Sequence, residues 1–204
     1  MTQLDEERTK PKLGRKRDHT RDPEILEAAL DVLAETGYDG MTIDMVAARA
    51  KAGKATLYRR WSSKGELVVD AVACMKSVDI TTLPDTGTLR GDLVAMIRPH
   101  SIDDAQRKLK IMTGLLTMLS KDPELSDTAM AAIMQPRVEA NTILLRRAVE
   151  RGEIPASTDI ETLAVVSQAM ATYRVMILRK PVDRSFILSV IDGVILPAVG
   201  LSAR

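Results

Sequence analysis

The chain has 204 residues with 29 lysines and arginines against 28 aspartates and glutamates, and it carries a single cysteine, so the composition excludes both a polycation and an internal disulfide framework. Aromatic residues make up only 2% of the chain. Since β-strands draw on aromatic and β-branched residues, we expect an all-α protein, long enough to bury a substantial core.

The first 21 residues are polar and show no apolar periodicity. Seven bases lie between Arg8 and Arg21, and Asp18 is the only acid in that span. We interpret residues 1–21 as a basic flexible arm. It has no apolar segment typical of a secretory signal, so we expect a soluble, cytoplasmic protein.

Four helices are predicted in the next part of the chain. Asp22 and Pro23 are typical of a helix start, and Gly37 of its end. Thr42 can cap a second helix over residues 43–50, and a third is predicted over 54–61 after the tight connection 51–53. The spacing of Ser63 and Glu66 is a capping box and opens a fourth helix.

The remainder is also helical in pattern. The stretch TTLPDTGT, residues 81–88, is the clearest break in the chain. Further helices are predicted over residues 88–99, 103–120, 123–151, 159–180 and 184–200. The last is apolar enough to raise the question of a membrane span, but Asp192, Gly193 and Pro197 interrupt it, and we expect no membrane contact.

The second and third helices, joined by a turn that contains glycine, form the pattern of a helix-turn-helix. Between Met45 and Gly65 there is no acid, although six bases are present. On a helical wheel Leu57 and Trp61 face inward, and the opposite face carries small, hydroxyl and cationic side chains, namely Ala55, Thr56 and Arg59. Such a face suits the major groove of DNA. The alternative is an ordinary amphipathic helix with solvated arginines, but solvated helices usually interleave both signs of charge.

These residues carry a family resemblance. The segment from Asp22 to Asp70, above all ETGYDGMTIDMVAARA and KATLYRRWSSKGEL, resembles the DNA-binding domain of the TetR family of transcriptional regulators. The resemblance implies phosphate contacts from Thr42, Tyr58 and Lys64. It also implies groove contacts from the start of the third helix and from one arginine, with Arg59 favoured over Arg60 by the wheel. The full predicted DNA-binding set is Thr42, Arg49, Lys54, Ala55, Thr56, Tyr58, Arg59 and Lys64. The family commonly has glycine where this chain has Lys51.

The resemblance also implies an architecture for the whole chain. We expect a helix-turn-helix domain over residues 22–66 and a larger helical ligand-binding and dimerisation domain over 67–204, with a homodimer formed through the last two long helices. An apolar stripe on the first of these helices agrees with that expectation: Leu163, Val166, Ala169 or Met170, Tyr173 and Ile177. The arm then has a second interpretation, as an extension that follows the DNA backbone or enters the minor groove.

A ligand pocket is plausible because methionine is abundant, and methionine suits an adaptable apolar cavity. The candidate lining residues are Met96, His100, Met112, Leu116, Met134 and Tyr173. For any single methionine, plain core packing is the competing interpretation. The resemblance names no ligand.

The expected function is a ligand-responsive homodimeric repressor that binds double-stranded DNA at a palindromic operator. The alternative is a constitutive or architectural DNA-binding protein without an inducer, which would have a C-terminal domain packed solid. An enzyme is not expected, since the chain has no zinc-protease motif, no cysteine–histidine pair, no phosphate loop and no clustered metal ligands. We expect no cofactor and no metal.

Overall fold

The computed structural model describes residues 22–97 and 102–202. The predicted basic arm and His100 lie outside these residues. Every regular element in the described part of the chain is helical, so the all-α prediction is confirmed. The α-helices are α1 Asp22–Gly40, α2 Ile43–Arg49, α3 Lys54–Tyr58, α4 Lys64–Lys76, α5 Leu89–Ala95, α6 Ile102–Lys121, α7 Pro123–Glu150, α8 Ile160–Met176, α9 Arg184–Val190 and α10 Leu196–Ala198.

The predicted helix signals act where the sequence places them. Gly37, with φ 67°, interrupts α1. The Thr42 side chain accepts a hydrogen bond from the backbone N–H of Met45, 3.2 Å away, and so caps α2. The Ser63 hydroxyl accepts a hydrogen bond from the backbone N–H of Glu66, 3.1 Å away, and so caps α4. Each cap is worth ~1 kcal/mol because it satisfies an N–H that the helix itself cannot.

Three predicted helices end at least three residues earlier in the structure than in the sequence pattern. The third ends at Tyr58 rather than residue 61, the fifth at Ala95 rather than 99, and the eighth at Met176 rather than 180. Past α8 the N–H of Leu178 reaches back to the carbonyl of Tyr173, and Arg179 adopts a left-handed φ of 51°. The chain therefore turns although its apolar character continues.

The buried apolar side chains form two clusters. The first joins α1–α4 to α6 and α7, and it includes Ile25, Leu57, Leu67 and Ile111. The second joins α5, α7, α8 and the C-terminal helices. Helix α4 supplies Leu67, Val68 and Val72 to the first cluster. It therefore packs with α1–α3 while leading the chain toward the second cluster.

Charged side chains also join α6 to α1. Arg107 donates to Asp31 at 2.6 Å and to Glu27 at 2.7 Å, and Lys121 donates to Asp39 at 2.5 Å. Such pairs, exposed or partly buried, are worth ~1 kcal/mol each, whereas burying one leucine is worth ~1.5–3 kcal/mol. The apolar cluster, more than the ion pairs, holds these helices together.

The C-terminal helix has an irregular centre. Between α9 and α10, residues Ile191–Ile195 form a π-helical turn. Asp192 in this turn accepts from the Arg90 guanidinium at 2.8 and 3.0 Å, which ties the helix to α5 and accounts for a carboxylate within an apolar run. Of the helices in residues 22–97 and 102–202, none combines the length and apolarity needed to cross a bilayer.

Candidate nucleic-acid interface and ligand cavity

Helix α3 presents the face that the helical wheel predicts. Leu57 is completely buried, and Trp61, just past the helix, is buried as well. The outer side chains Lys54, Ala55, Tyr58 and Arg59 are exposed, and Thr56 is half-buried. A short helix with small residues at its start and cationic groups around them can approach base edges closely.

Two of the predicted DNA-contacting cations have acidic partners from other elements. Lys54 donates to Asp44 on α2, 2.7 Å to one carboxylate oxygen, and this hydrogen bond raises the pKa of Lys54. Arg49 forms two hydrogen bonds to Glu35 on α1, 3.0 and 2.6 Å, and lowers the pKa of Glu35. Folding therefore supplies Arg49 and Lys54 of the acid-free segment with acids from outside it. These pairs are exposed and can be exchanged for phosphate oxygens.

The two adjacent arginines have different environments. Arg60 is largely buried against Asp22 at the start of α1 and forms an ion pair with it. Arg59 is exposed, and its guanidinium donates to the Thr56 hydroxyl at 3.3 Å. Of the two arginines Arg59 is the exposed one, and its contact with a base stays a prediction, whereas Arg60 holds α1 against the end of α3.

The predicted phosphate-contacting residues differ in how they are held. Tyr58 is half exposed, with the Lys54 ammonium 5.9 Å from its ring centre. Lys64 donates to the carbonyls of Tyr38 and Met41, at 2.7 and 3.0 Å. The same ammonium lies 4.2 Å from the centre of the Tyr38 ring. The phosphate contact of Lys64 stays a prediction.

The turn between α2 and α3 depends on an unusual backbone conformation. The N–H of Ala52 donates to the carbonyl of Ala47 and that of Lys51 to Ala48, which is the Schellman pattern of a helix end. This pattern places Lys51 in the left-handed region, with φ 49°, a position that usually takes glycine. The backbone of Lys51 is therefore strained, because a residue with a Cβ atom disfavours the left-handed region.

Replacing Lys51 with glycine should raise the free energy of unfolding by about 1 kcal/mol, because relief of left-handed strain exceeds the entropy cost of glycine. Lys51→Ala is the matched control, since it also removes the charge but keeps the strain. Thermal and urea denaturation of the two variants measure the difference. Equal stability of the alanine and glycine variants would contradict the strained turn.

The C-terminal helices enclose a cavity of about 630 Å³, within the ~300–1,000 Å³ typical of small-molecule sites. Of the predicted lining residues, Met96, Met112, Leu116 and Met134 line it. Tyr173 is 53% exposed and is not among the residues that line this cavity, so its ligand contact stays a prediction. The face of α8 that lines the cavity includes Gln168, Thr172 and Val175. Tyr173 follows Thr172 by one residue and is therefore rotated about 100° around the helix axis from it.

Sequence reasoning missed three cations in the cavity wall: Lys76 on α4, Lys108 on α6 and Arg137 on α7. Burial lowers the pKa of Lys76, and the charges of Arg137 and Lys108 lower it further. One signal was available, since Lys76 follows Val72 by four residues and so continues the apolar stripe of α4. Polar wall groups also include Gln168 and the buried Asn141, whose amide donates to the Ala164 carbonyl at 2.9 Å.

Helix α4 connects the end of α3 to this cavity. The indole N–H of Trp61, just past α3, donates to Asp70 on α4 at 2.7 Å. Lys76, six residues further along the same helix, lines the cavity. Helix α4 thus contacts the segment after α3 through Asp70, near its middle, and the cavity through Lys76 at its C-terminal end.

Comparison with known proteins agrees with this two-part architecture. Residues 25–71 match the family model described as bacterial regulatory proteins, tetR family. Residues 83–194 match the model described as Tetracyclin repressor-like, C-terminal domain. The second match covers more than half of the chain.

Individual relatives extend over nearly the whole length. The chain is 35% identical over 188 residues to the DNA-binding transcriptional repressor TetR of Mycobacteroides abscessus, covering 92% of this chain and 98% of that protein. It is 31% identical to the HTH-type transcriptional regulator YdeS of Bacillus subtilis, covering 86% of this chain and 88% of the relative.

Solved structures show the same fold. The TetR family transcription regulator SCO0332 is 27% identical and superposes with a TM-score of 0.56, covering 87% of this chain and 97% of its own. A transcriptional regulator from Rhodococcus, 18% identical, gives a TM-score of 0.63 and covers 89% and 99% of the two chains. With both domain models matched and a full-length relative above 30% identity, this chain belongs to the TetR family of transcriptional regulators.

Proposed function

We propose that this regulator is a cytoplasmic homodimeric repressor that binds a palindromic operator and releases it when a small molecule fills the cavity. The observation that carries the proposal is the placement of α4, which is bonded through Asp70 to the segment after α3 and lines the cavity with Lys76. A ligand that displaces the end of α4 would therefore move the DNA-facing helix.

The DNA-binding half of the proposal rests on the exposed face of α3. Arg59 can donate two hydrogen bonds to guanine N7 and O6, and Thr56 offers a hydroxyl and a methyl group. Thr42 and Ser63 cap helix N-termini, whose free N–H groups suit phosphate oxygens. Binding at a palindrome requires two such faces related by a two-fold axis.

The dimer is supported by apolar side chains that the single chain leaves exposed. The N-terminal part of the predicted α8 stripe, Leu163 and Val166, packs against the second cluster. The C-terminal part does not: Met170, Tyr173 and Ile177 are exposed, as is Val194 in the π-helical turn. Contiguous exposed apolar surface on a folded protein typically marks an association site. We assign it to the two-fold interface.

The ligand response is supported by the cavity itself. A constitutive DNA-binding protein would have its C-terminal helices packed solid, whereas these helices enclose about 630 Å³. Another protein with this fold binds a ligand: the structure of FadR from Bacillus subtilis was determined in complex with stearoyl-CoA. Repression rather than activation is supported by the relative from Mycobacteroides abscessus, which is named a repressor.

Arg59→Ala should weaken operator binding by ~1–3 kcal/mol and relax the preference at one base position in each half-site. The reason is that the truncated side chain no longer reaches a base edge, while the buried residues of α3 are unchanged. Selection of bound duplexes from a random library, followed by fluorescence anisotropy on the enriched site, measures both effects.

Arg146→Ala is the matched control, because Arg146 is an exposed arginine on α7, away from α3. It should leave affinity and base preference unchanged. Enrichment of no palindrome, with binding that fades smoothly as salt rises, would instead indicate phosphate contacts alone and favour an architectural protein.

A further inference from the structure

The cavity has an asymmetric charge composition. Its wall contains three cationic side chains, Lys76, Lys108 and Arg137. Among the described residues that line it, none is an aspartate or glutamate. Most of the remaining wall is aliphatic or methionine, with one aromatic ring, that of Phe186. An enclosure that is apolar in most places and positive in one place suits a molecule with the complementary distribution.

The three cations come from three different helices and meet in the cavity wall. Lys76 ends α4, Lys108 lies on α6, and Arg137 lies on α7, where it also donates to the Met96 carbonyl at 3.4 Å. They are close enough that the charges of Arg137 and Lys108 lower the pKa of Lys76, in addition to the effect of burial. A negative charge beside Lys76 would oppose that shift, because it favours the ammonium form.

We infer that the regulating ligand is an amphipathic anion, whose negative group binds at Lys76 between Lys108 and Arg137 and whose apolar body occupies the methionine-lined remainder of the cavity. This inference rests on the proposed ligand response and specifies its chemistry. A carboxylate, sulfonate or phosphate ester would supply the same charge. Cationic compounds are expected to bind poorly, because the three cations that line the cavity repel them.

The position of Lys76 gives the anion a direct effect on DNA binding. Lys76 is the last residue of α4, six residues after Asp70, which accepts the Trp61 indole N–H. A charge-assisted bond to Lys76 is stronger than a neutral hydrogen bond and acts at the end of the helix. The ligand would therefore bias the position of α4 from its cavity end.

Isothermal titration calorimetry with three ten-carbon probes tests the charge requirement on the full-length protein: decanoate, 1-decanol and decyltrimethylammonium, each below its micelle concentration. We expect decanoate to bind at least about tenfold more tightly than 1-decanol, since a charged partner is worth more than a hydroxyl. Decyltrimethylammonium should bind least. Failure of decanoate to bind, equal affinity for decanoate and 1-decanol, or a preference for the cation would overturn the inference.

Two variants locate the anion. Lys76→Gln should remove most of the preference for decanoate over 1-decanol. Lys110→Gln is the control, because Lys110 is an exposed lysine on α6 that does not line the cavity. This variant should retain the preference. An unchanged preference in Lys76→Gln would refute binding at Lys76, and thermal denaturation without ligand verifies that both variants fold.

Operator binding in the presence of decanoate is measured separately by anisotropy. Charge-selective binding with a loss of operator affinity supports both the ligand class and the proposed induction. Charge-selective binding that leaves operator affinity unchanged would support the ligand class and contradict induction.

Discussion

Replacing Tyr173 and Ile177 together with glutamate is expected to convert the dimer into a monomer and to weaken operator binding by about 10²–10⁴-fold. In the single chain these side chains are 53% and 65% exposed, so the substitutions cost the monomer little. In the proposed interface the same positions meet across a two-fold axis. Four buried carboxylates without partners would then oppose association strongly.

The loss in DNA affinity follows from geometry. A dimer places two α3 helices on two half-sites, and the second contact forms at high effective concentration once the first has formed. A monomer retains only one contact. Light scattering after size exclusion measures the mass, and fluorescence anisotropy measures operator affinity.

Ile80→Glu is the matched control for this variant. Ile80 is also an exposed apolar residue, at 38%, but it lies in the short 3₁₀ turn after α4 rather than on α8. Its replacement should preserve the dimer. A double variant that remains dimeric would place the interface elsewhere, and a monomeric variant with unchanged operator affinity would contradict the two-helix mode of binding.

Asp92→Ala should lower the free energy of unfolding by ~1–3 kcal/mol. Asp92 is fully buried, accepts from the backbone N–H and hydroxyl of Thr86 at 2.6 and 2.8 Å, and pairs with Arg151 at 3.2 Å. It thereby joins the break before α5 to the end of α7. Removing the carboxylate leaves the Thr86 donors and the guanidinium without this partner.

Asp85→Ala provides an internal comparison, because Asp85 pairs with the same guanidinium at 3.5 Å but is 68% exposed. Its loss should cost less than ~1 kcal/mol. Urea denaturation of both variants gives the two free energies. Similar values for the two would show that burial does not determine the contribution of these carboxylates.

The helical plan of the chain was predictable because its signals are local. Proline at the start of α1, the Thr42 and Ser63 caps and the glycine break at Gly37 act within a few residues of chain. The inward face of α3 followed from periodicity, and Leu57 and Trp61 are buried as predicted. Helix ends were less predictable. At α8, a backbone turn to Tyr173 ends the helix within a continuing apolar run.

The electrostatics of the DNA-facing surface could be predicted only in part. Between Met45 and Gly65 the sequence contains no acid, yet in the fold Glu35 and Asp44 pair with Arg49 and Lys54 of this segment. The two acids precede the acid-free segment in sequence and reach it only after the helices pack. A one-dimensional charge pattern does not contain that information.

The sequence by itself determined the fold class, the order of the helices and which face of α3 is buried, because each depends on periodicity and capping within one segment. Only the tertiary structure decided which residues share the cavity wall. Lys76, Lys108 and Arg137 lie on three helices, separated by about thirty residues of chain at each step. Their shared position depends on how α4, α6 and α7 cross, and that crossing is set by packing of side chains distant in the sequence.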